Sequence, residues 1–525
     1  VARRFGPDQS TGVRVNAAMR DGGTPVPDEQ ARLALLSVGV DWRSRDVRLS
    51  ADLGYQNHEL DRTRTNVSLG FGVTSVPTPP NPKTNFAQPW TFSNERNVFG
   101  TVRGEWDLGR TTTAYFAYGM RNGREANSLA NLDVTNAVTG AGTTSRFDNT
   151  AREAVNTGEL GVRGTFKTGS VQHRWVASLS TFTRERKNAF AWDFFNTQAT
   201  NLYNPVFSPQ LPFTANAFTG NALDAPGLTN RTRLTSFAVG DTMGLMGNQV
   251  LLTLGLRHQR FDITNFAYGT GAQSDRYQES HTSPLVAAVV KLSPQWSVYA
   301  NRIESLAQGE TAPGFGSPLP TNAGQSLAPY VSKQTELGAK WQGARLGANM
   351  AVFSTSKPRG FINAANTFVA EGKDQHQGIE FNGFGQVARG WRVLGGFTFL
   401  DATQDSTGSS TTDGKRVIGV PRFQANLGTQ WVVPQLPALP FDARLVHVGD
   451  RFANSTNTLK VDGFNRIDLG ARYIMDVGGK PVTLRARLDN VTNRGYWASV
   501  GGFPGQGYLV VGAPRSFMLS ASIDL

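Results

Sequence analysis

The chain has 525 residues, of which 39% are hydrophobic, and 52 Lys and Arg outnumber 40 Asp and Glu to leave a net charge of +12. Mean hydropathy is −0.32, and the longest apolar stretch, Leu285 to Val290, falls far short of the roughly 20 residues that a spanning helix needs, so a helical membrane protein is excluded. The cations are dispersed among Asp and Glu rather than gathered in patches, which argues against a nucleic-acid binder.

Taken in chain order, the predicted elements are strands. Val1 to Phe5 reads as the stub of one. Val13, Val15, Ala17 and Met19 then alternate with Arg14, Asn16, Ala18 and Arg20. Val47, Leu49, Ala51, Leu53 and Tyr55 alternate with Arg48, Ser50, Asp52, Gly54 and Gln56. The same period recurs around Phe423 to Trp431, Ile467 to Tyr473 and Val482 to Leu488. It ends with Phe517, Leu519, Ala521, Ile523 and Leu525 against Ser520, Ser522 and Asp524. Successive strand side chains point to opposite faces, so each segment is apolar on one side and polar on the other. A soluble sheet with one wet face gives that pattern too. Many such strands in series, with no helices between them, match a membrane barrel, where a charge on the lipid face costs about 2–4 kcal/mol.

Turn residues divide the chain into about 20 strands, centred from Ala17 through Val102, Val162, Gly255, Gly338 and Leu427 to Leu519. Short turns stand at Asp107 to Arg110, Ser293 to Gln295, Gln342 to Ala344 and Ala388 to Gly390. Long segments fall between them, at Thr63 to Asn94, Ala126 to Ala154, Lys187 to Arg231, Ala307 to Val331 and Ala402 to Lys415. Short turns on one rim and long loops on the other are the outer-membrane pattern. The fold class is therefore all-β: a transmembrane antiparallel up-and-down β-barrel of about 20–22 strands, with the final strand closing the sheet and residues 1–525 forming one domain.

Motifs for chemistry are sparse. The six histidines are scattered, with no pair at metal-binding spacing. His258 follows the apolar parity of Leu252, Leu254 and Leu256, which fits an interfacial ring better than a ligand. Neither a Gly-x-Ser-x-Gly nor a P-loop lysine motif is present. Glu336 and Glu380 lie on the polar parity of strands, as lumen-lining groups do. No enzyme is expected.

Several local patterns resemble the barrel of the TonB-dependent siderophore receptors. Arg3-Arg4-Phe5-Gly6 followed by Gly12-Val13-Arg14-Val15-Asn16 resembles early barrel strands of that family. Asn201-Leu202-Tyr203-Asn204-Pro205 and Leu254-Gly255-Leu256-Arg257 resemble a loop and a mid-barrel strand. Leu327-Ala328-Pro329, Gln334-Thr335-Glu336-Leu337-Gly338-Ala339-Lys340 and Gly378-Ile379-Glu380 are similar to later segments. Asp489-Asn490-Val491-Thr492-Asn493, Tyr496 and Gly512-Ala513-Pro514-Arg515 resemble the closing hairpin. Each match is short; their order along the whole chain carries the likeness. The family ends in Phe where this chain has Leu525. Its signal peptide, TonB box and plug domain have no counterpart here, so the chain reads as a barrel lacking plug and first strand.

The resemblance implies import of a ferric siderophore through the outer membrane of a Gram-negative bacterium. The chelate is the transported ligand and no cofactor is bound directly. The implied partners are the TonB-ExbB-ExbD complex acting through the absent plug, outer-membrane lipids and the barrel assembly machinery, with the receptor acting as a monomer. A passive porin-like channel is the alternative. The loop from Lys187 to Arg231 is rich in aromatics, and exposed aromatics need a reason. The ligand-binding candidates are Trp90, Trp192, Phe194, Phe195, Tyr203, Phe315, Tyr330, Phe503 and Tyr508. Arg184, Arg186 and Lys187 are expected either to draw an anionic chelate or to bind anionic surface lipid.

Overall fold

In the computed structural model, which describes residues 1–314, 318–503 and 506–523, 25 strands join in one sheet. The wall is a continuous antiparallel series from Ala2–Phe5 to Ser516–Ile523, in which sequence neighbours pair with each other and only short loop strands are skipped. Each strand centre expected from the turn residues falls inside an observed strand. Asp524 and Leu525 lie outside the described residues. The last strand pairs with Lys480–Asp489. Among the described residues no pairing joins it to Ala2–Phe5; the expected closure by the final strand is not seen in the wall.

Connections alternate between two rims. On one rim they are tight, as at 44–46, 108–111, 169–170, 343–345, 389–390 and 478–479. Gly478 and Gly479 both take positive φ, 63° and 78°, the conformation that a two-residue hairpin matching the strand twist requires. On the other rim the connections include 62–91, 202–226, 308–329, 406–422 and 490–515. Two expected loops are mostly strand. Thr112–Val134 and Ala141–Thr168 extend through Ala126 to Ala154 with a turn only at 135–140, and Val171–Asn201 runs on past Lys187. In these extensions the side chains no longer sort into one apolar and one polar face: Ala141 to Ala154 is mostly polar, and past Lys187 apolar residues fall on both parities, Phe190 and Trp192 on one and Ala189 and Ala191 on the other. Val171–Asn201 has 31 residues, about 100 Å of chain, against the 9–11 that cross a bilayer; most of it stands beyond the membrane.

Side-chain parity sorts as lipid outside and water inside would require. Leu36, Leu53, Leu160, Leu254, Leu337, Leu394 and Leu427 are all at least 44% exposed, up to 67% for Leu394. A soluble surface rarely shows so large an apolar band; hydrocarbon solvates it. Tryptophans mark one edge of that band. Trp42, Trp106, Trp296, Trp391 and Trp431 are exposed beside the tight turns, and Trp296 faces Trp341 across the ladder at 6.3 Å. Such girdles sit at membrane interfaces. On the opposite parity the charges pair along the wall. Arg48 binds Glu105 at 3.1 Å and Asp107 at 2.7 Å, Arg163 binds Glu105 at 2.9 Å, and Arg14 binds Asp52 at 3.1 Å.

Candidate ligand vestibule

The long-loop rim is folded, not splayed. Loop 62–91 contributes a strand, Val67–Leu69, whose Val67 and Ser68 pair with Leu509 and Tyr508 from the last long connection. The same three residues run parallel to Leu132–Val134. Residues from distant loops therefore share one ladder, and their apolar sides meet in a core of Val67, Phe86, Leu132, Leu202, Val461 and Leu509, all at most 1% exposed. Trp497 joins it and donates its indole N–H to the Pro77 carbonyl at 2.9 Å.

A second set of contacts fastens the long connection after Asn201. Gln88, fully buried, donates to the Val206 carbonyl at 3.0 Å and accepts the Ser208 N–H at 2.9 Å. Farther along, the ladder between Ala141–Thr168 and Val171–Asn201 skips: Ser145 pairs with Thr197, but Arg146 pairs with Asp193. Phe194, Phe195 and Asn196 are thereby expelled as a bulge, the usual device for re-aiming side chains. Asp193, 1% exposed, holds this bulge. Its Oδ1 accepts the N–H groups of Phe195 and Asn196 at 3.2 and 3.0 Å, and its Oδ2 accepts the N–H and hydroxyl of Thr214 at 2.8 and 2.7 Å. These donors, the Thr214 N–H foremost, hold its carboxyl below the ordinary carboxylate range. The Arg146 guanidinium lies 4.2 Å above the Phe213 ring and donates to the Leu211 carbonyl at 2.9 Å.

The nine aromatic candidates separate into groups. Trp192, Phe194 and Phe195 come together: Trp192 lies 5.1 Å from Phe194, and Phe194 lies 4.3 Å from Phe195 and 5.0 Å from Phe218. Trp192 and Phe218 are register partners, and Trp192 keeps the parity of Arg184 and Arg186, which face the lumen. All four rings are exposed, Phe195 by 63%. Tyr203 is half-buried against the mouth core and ties its hydroxyl to Thr78 at 2.9 Å. Tyr508 is exposed on the loop ladder. Trp90 is half-buried, and its indole N–H has no partner among the described residues. Tyr330 is buried, 4% exposed; its hydroxyl donates to Glu310 at 3.3 Å, and burial raises its ionisation above the usual phenol range. Phe315 lies outside the described residues, as does the side chain of Phe503.

Comparison with known proteins places this architecture. The family described as "TonB dependent receptor-like, beta-barrel" matches residues 38–491. The ferrichrome receptor FcuA of Yersinia enterocolitica is 33% identical over 529 residues, covering 100% of this chain and 68% of FcuA. The chain belongs to the TonB-dependent receptors. Among solved structures, that of BauA, the ferric preacinetobactin receptor of Acinetobacter baumannii, superposes with a TM-score of 0.89 at 31% identity, over 100% of this chain and 77% of BauA. The siderophore receptor PiuA of the same species shares the fold, with a TM-score of 0.81 at 18% identity over 99% of this chain and 78% of that one.

In this receptor the basic trio divides by parity. Arg184 and Arg186 share the luminal face, where Arg184 donates to Asn230 at 3.1 Å, whereas Lys187 faces outward with Leu179. Sequence reasoning missed Gln88, Arg146 and Asp193. Asp193 left a trace: an Asp whose side chain caps the N–H groups two and three residues on is a known turn device. Gln88 left none, because its partners are 118 and 120 residues away. No cluster of His, Asp or Glu able to hold a metal occurs among the described residues.

Proposed function

We propose that this chain is the barrel domain of an outer-membrane receptor that imports a ferric siderophore, with TonB and its inner-membrane complex supplying the energy through a plug domain seated in the lumen. The observation that carries this reading is the exposed stack of Trp192, Phe194, Phe195 and Phe218 on a tall, braced rim, in a chain 33% identical to a ferrichrome receptor. Aromatic faces held without their own cover suit a bulky, partly apolar chelate. Iron is bound by the chelator, so the protein contributes shape and stacking. Arg184 and Arg186 on the luminal parity below attract an anionic complex inward.

The test is uptake of radiolabelled ferric siderophores in cells carrying the full-length receptor and no other. Replacing Trp192, Phe194 and Phe195 together by Ala is expected to raise the half-saturating concentration at least about tenfold, since aromatic contacts of this kind are worth about 0.5–1.5 kcal/mol each beyond their area. Uptake unchanged by the triple replacement removes these rings from the site. Uptake that persists without TonB favours a passive channel.

A further inference from the structure

On the tight-turn rim, residues 433–439 join Phe423–Val432 to Pro440–Val448. They read Val-Pro-Gln-Leu-Pro-Ala-Leu and carry no charged side chain. Other turns of that rim hold Arg45 and Asp46, Arg110, Arg345 and Arg389. Those at 44–46, 108–111, 343–345 and 389–390 are also shorter. Residues 434–438 are all exposed, Leu436 by 53%. A turn facing water is ordinarily built with Gly, Asn, Asp and Ser, and an exposed apolar run needs something to cover it.

The backbone suits a medium poor in water. Pro434 and Pro437 bring no N–H. The Leu436 N–H donates to the Val433 carbonyl at 2.9 Å, and the Leu439 N–H to the Leu436 carbonyl at 2.9 Å. The Ala438 carbonyl accepts the Ile474 N–H at 3.1 Å, which prolongs the ladder of Phe441 with Ala471. The loop is thereby tied to the neighbouring strand at the wall's lower edge.

Its position selects what covers it. Val433 keeps the outward parity of Trp431, and Leu439 that of Phe441. Trp431 and Phe441 are register partners, and with Tyr473 they are at least 40% exposed on the lipid side. The nearest charges, Asp442 and Arg472, take the luminal parity. Val433 lies two residues past the girdle residue Trp431, about 7 Å along the strand and about 5 Å along the barrel axis at a tilt near 40°. That is headgroup depth, where the N–H groups of Val433, Gln435 and Ala438 still find water. Interfacial segments bury their apolar side chains about 5–10 Å into this boundary. A protein docking from below would meet the charged turns as well; a bilayer meets only the outward side, along which the apolar surface is continuous.

We propose that residues 433–439 form a membrane-binding loop, in which Leu436, with Val433 and Leu439, inserts among the phospholipid headgroups of the periplasmic leaflet.

Residues 1–525 contain no cysteine, so single thiols report the loop. In the full-length receptor, with any cysteine outside these residues replaced by serine, Leu436→Cys and Ala438→Cys are each labelled with bimane. Arg45→Cys, in the charged turn 44–46 where Arg45 is 95% exposed, is the reference. The proteins are placed in nanodiscs of phosphatidylethanolamine and phosphatidylglycerol, and only the heat-resistant folded form is read. At 436 and 438 the emission is expected to shift to the blue, and to lose more to a lipid bearing a nitroxide at the top of its acyl chain than to aqueous iodide. At 45 the order is expected to reverse. Iodide quenching at 436 and 438 equal to that at 45 would overturn the proposal. So would shielding from both quenchers, which places the loop against protein. Two labelled positions keep the result independent of either variant alone.

Discussion

Asp193 shows how much one carboxylate can organise. Four donors from two segments converge on it, so the bulge that presents Phe194 and Phe195 and the connection through Thr214 are positioned by the same side chain. Replacing Asp193 by Ala is expected to speed amide exchange at Phe195, Asn196 and Thr214 and to expose the 202–217 connection to protease, while leaving the membrane wall unchanged. The sign of the pH effect follows from the lowered ionisation. The clamp is complete above the unfolded carboxyl value of about 3.9 and is lost as pH falls through the lower folded value. The protection factor at Thr214, with the intrinsic pH dependence of exchange divided out, should therefore be flat from neutral pH down to about 4 and fall only below it. The aromatic residues of this site were legible in the sequence because rings in a polar segment stand out. Their grouping was not, because the register skip between Ser145 and Arg146 and the cross-loop bonds of Gln88 depend on chain partners that no local pattern names.

At the scale of the element, one arrangement recurs. Tyr115 pairs with Gly161 and Tyr299 with Gly338. Each ring lies over its glycine, at the position a Cβ would occupy. Each hydroxyl then donates to the Glu two residues earlier, Glu159 at 2.8 Å and Glu336 at 2.7 Å. The tripeptide Glu-Leu-Gly thus encodes a luminal acceptor, a lipid-facing leucine and a seat for a neighbour's ring. Gly338→Val is expected to push the Tyr299 ring off its seat and cost about 1–3 kcal/mol, the range for overpacking, measured as a lower unfolding midpoint of the folded barrel in urea. The glycine was visible in the sequence as part of a family-like segment; the tyrosine that makes it necessary lies 39 positions away by number and one strand away in space. Strand positions were legible for a simpler reason. Period-2 alternation is imposed by the bilayer, so it marked the membrane-crossing stretches and faded where Thr112–Val134, Ala141–Thr168 and Val171–Asn201 leave the lipid.

At the scale of the molecule, the two faces of the wall predict opposite tolerances. Val102 lies four residues beyond Trp106 on the outward parity, and Thr101 lies beside it on the luminal parity. Val102→Arg is expected to destabilise the inserted barrel by about 2–4 kcal/mol, and Thr101→Arg to cost little, as read from the temperature at which the SDS-resistant band is lost. Similar losses from both would refute the assignment of inside and outside. The long-loop rim behaves differently again. Val67–Leu69 is held by two registered pairs on one flank and three on the other, whereas Val171–Asn201 meets its neighbours along almost its whole length. In an arch, the shortest joint parts first when the load comes on. On that reasoning a load on the mouth is expected to part it first along the line between Tyr508 and Val134, with the tall hairpins on either side moving as intact slabs.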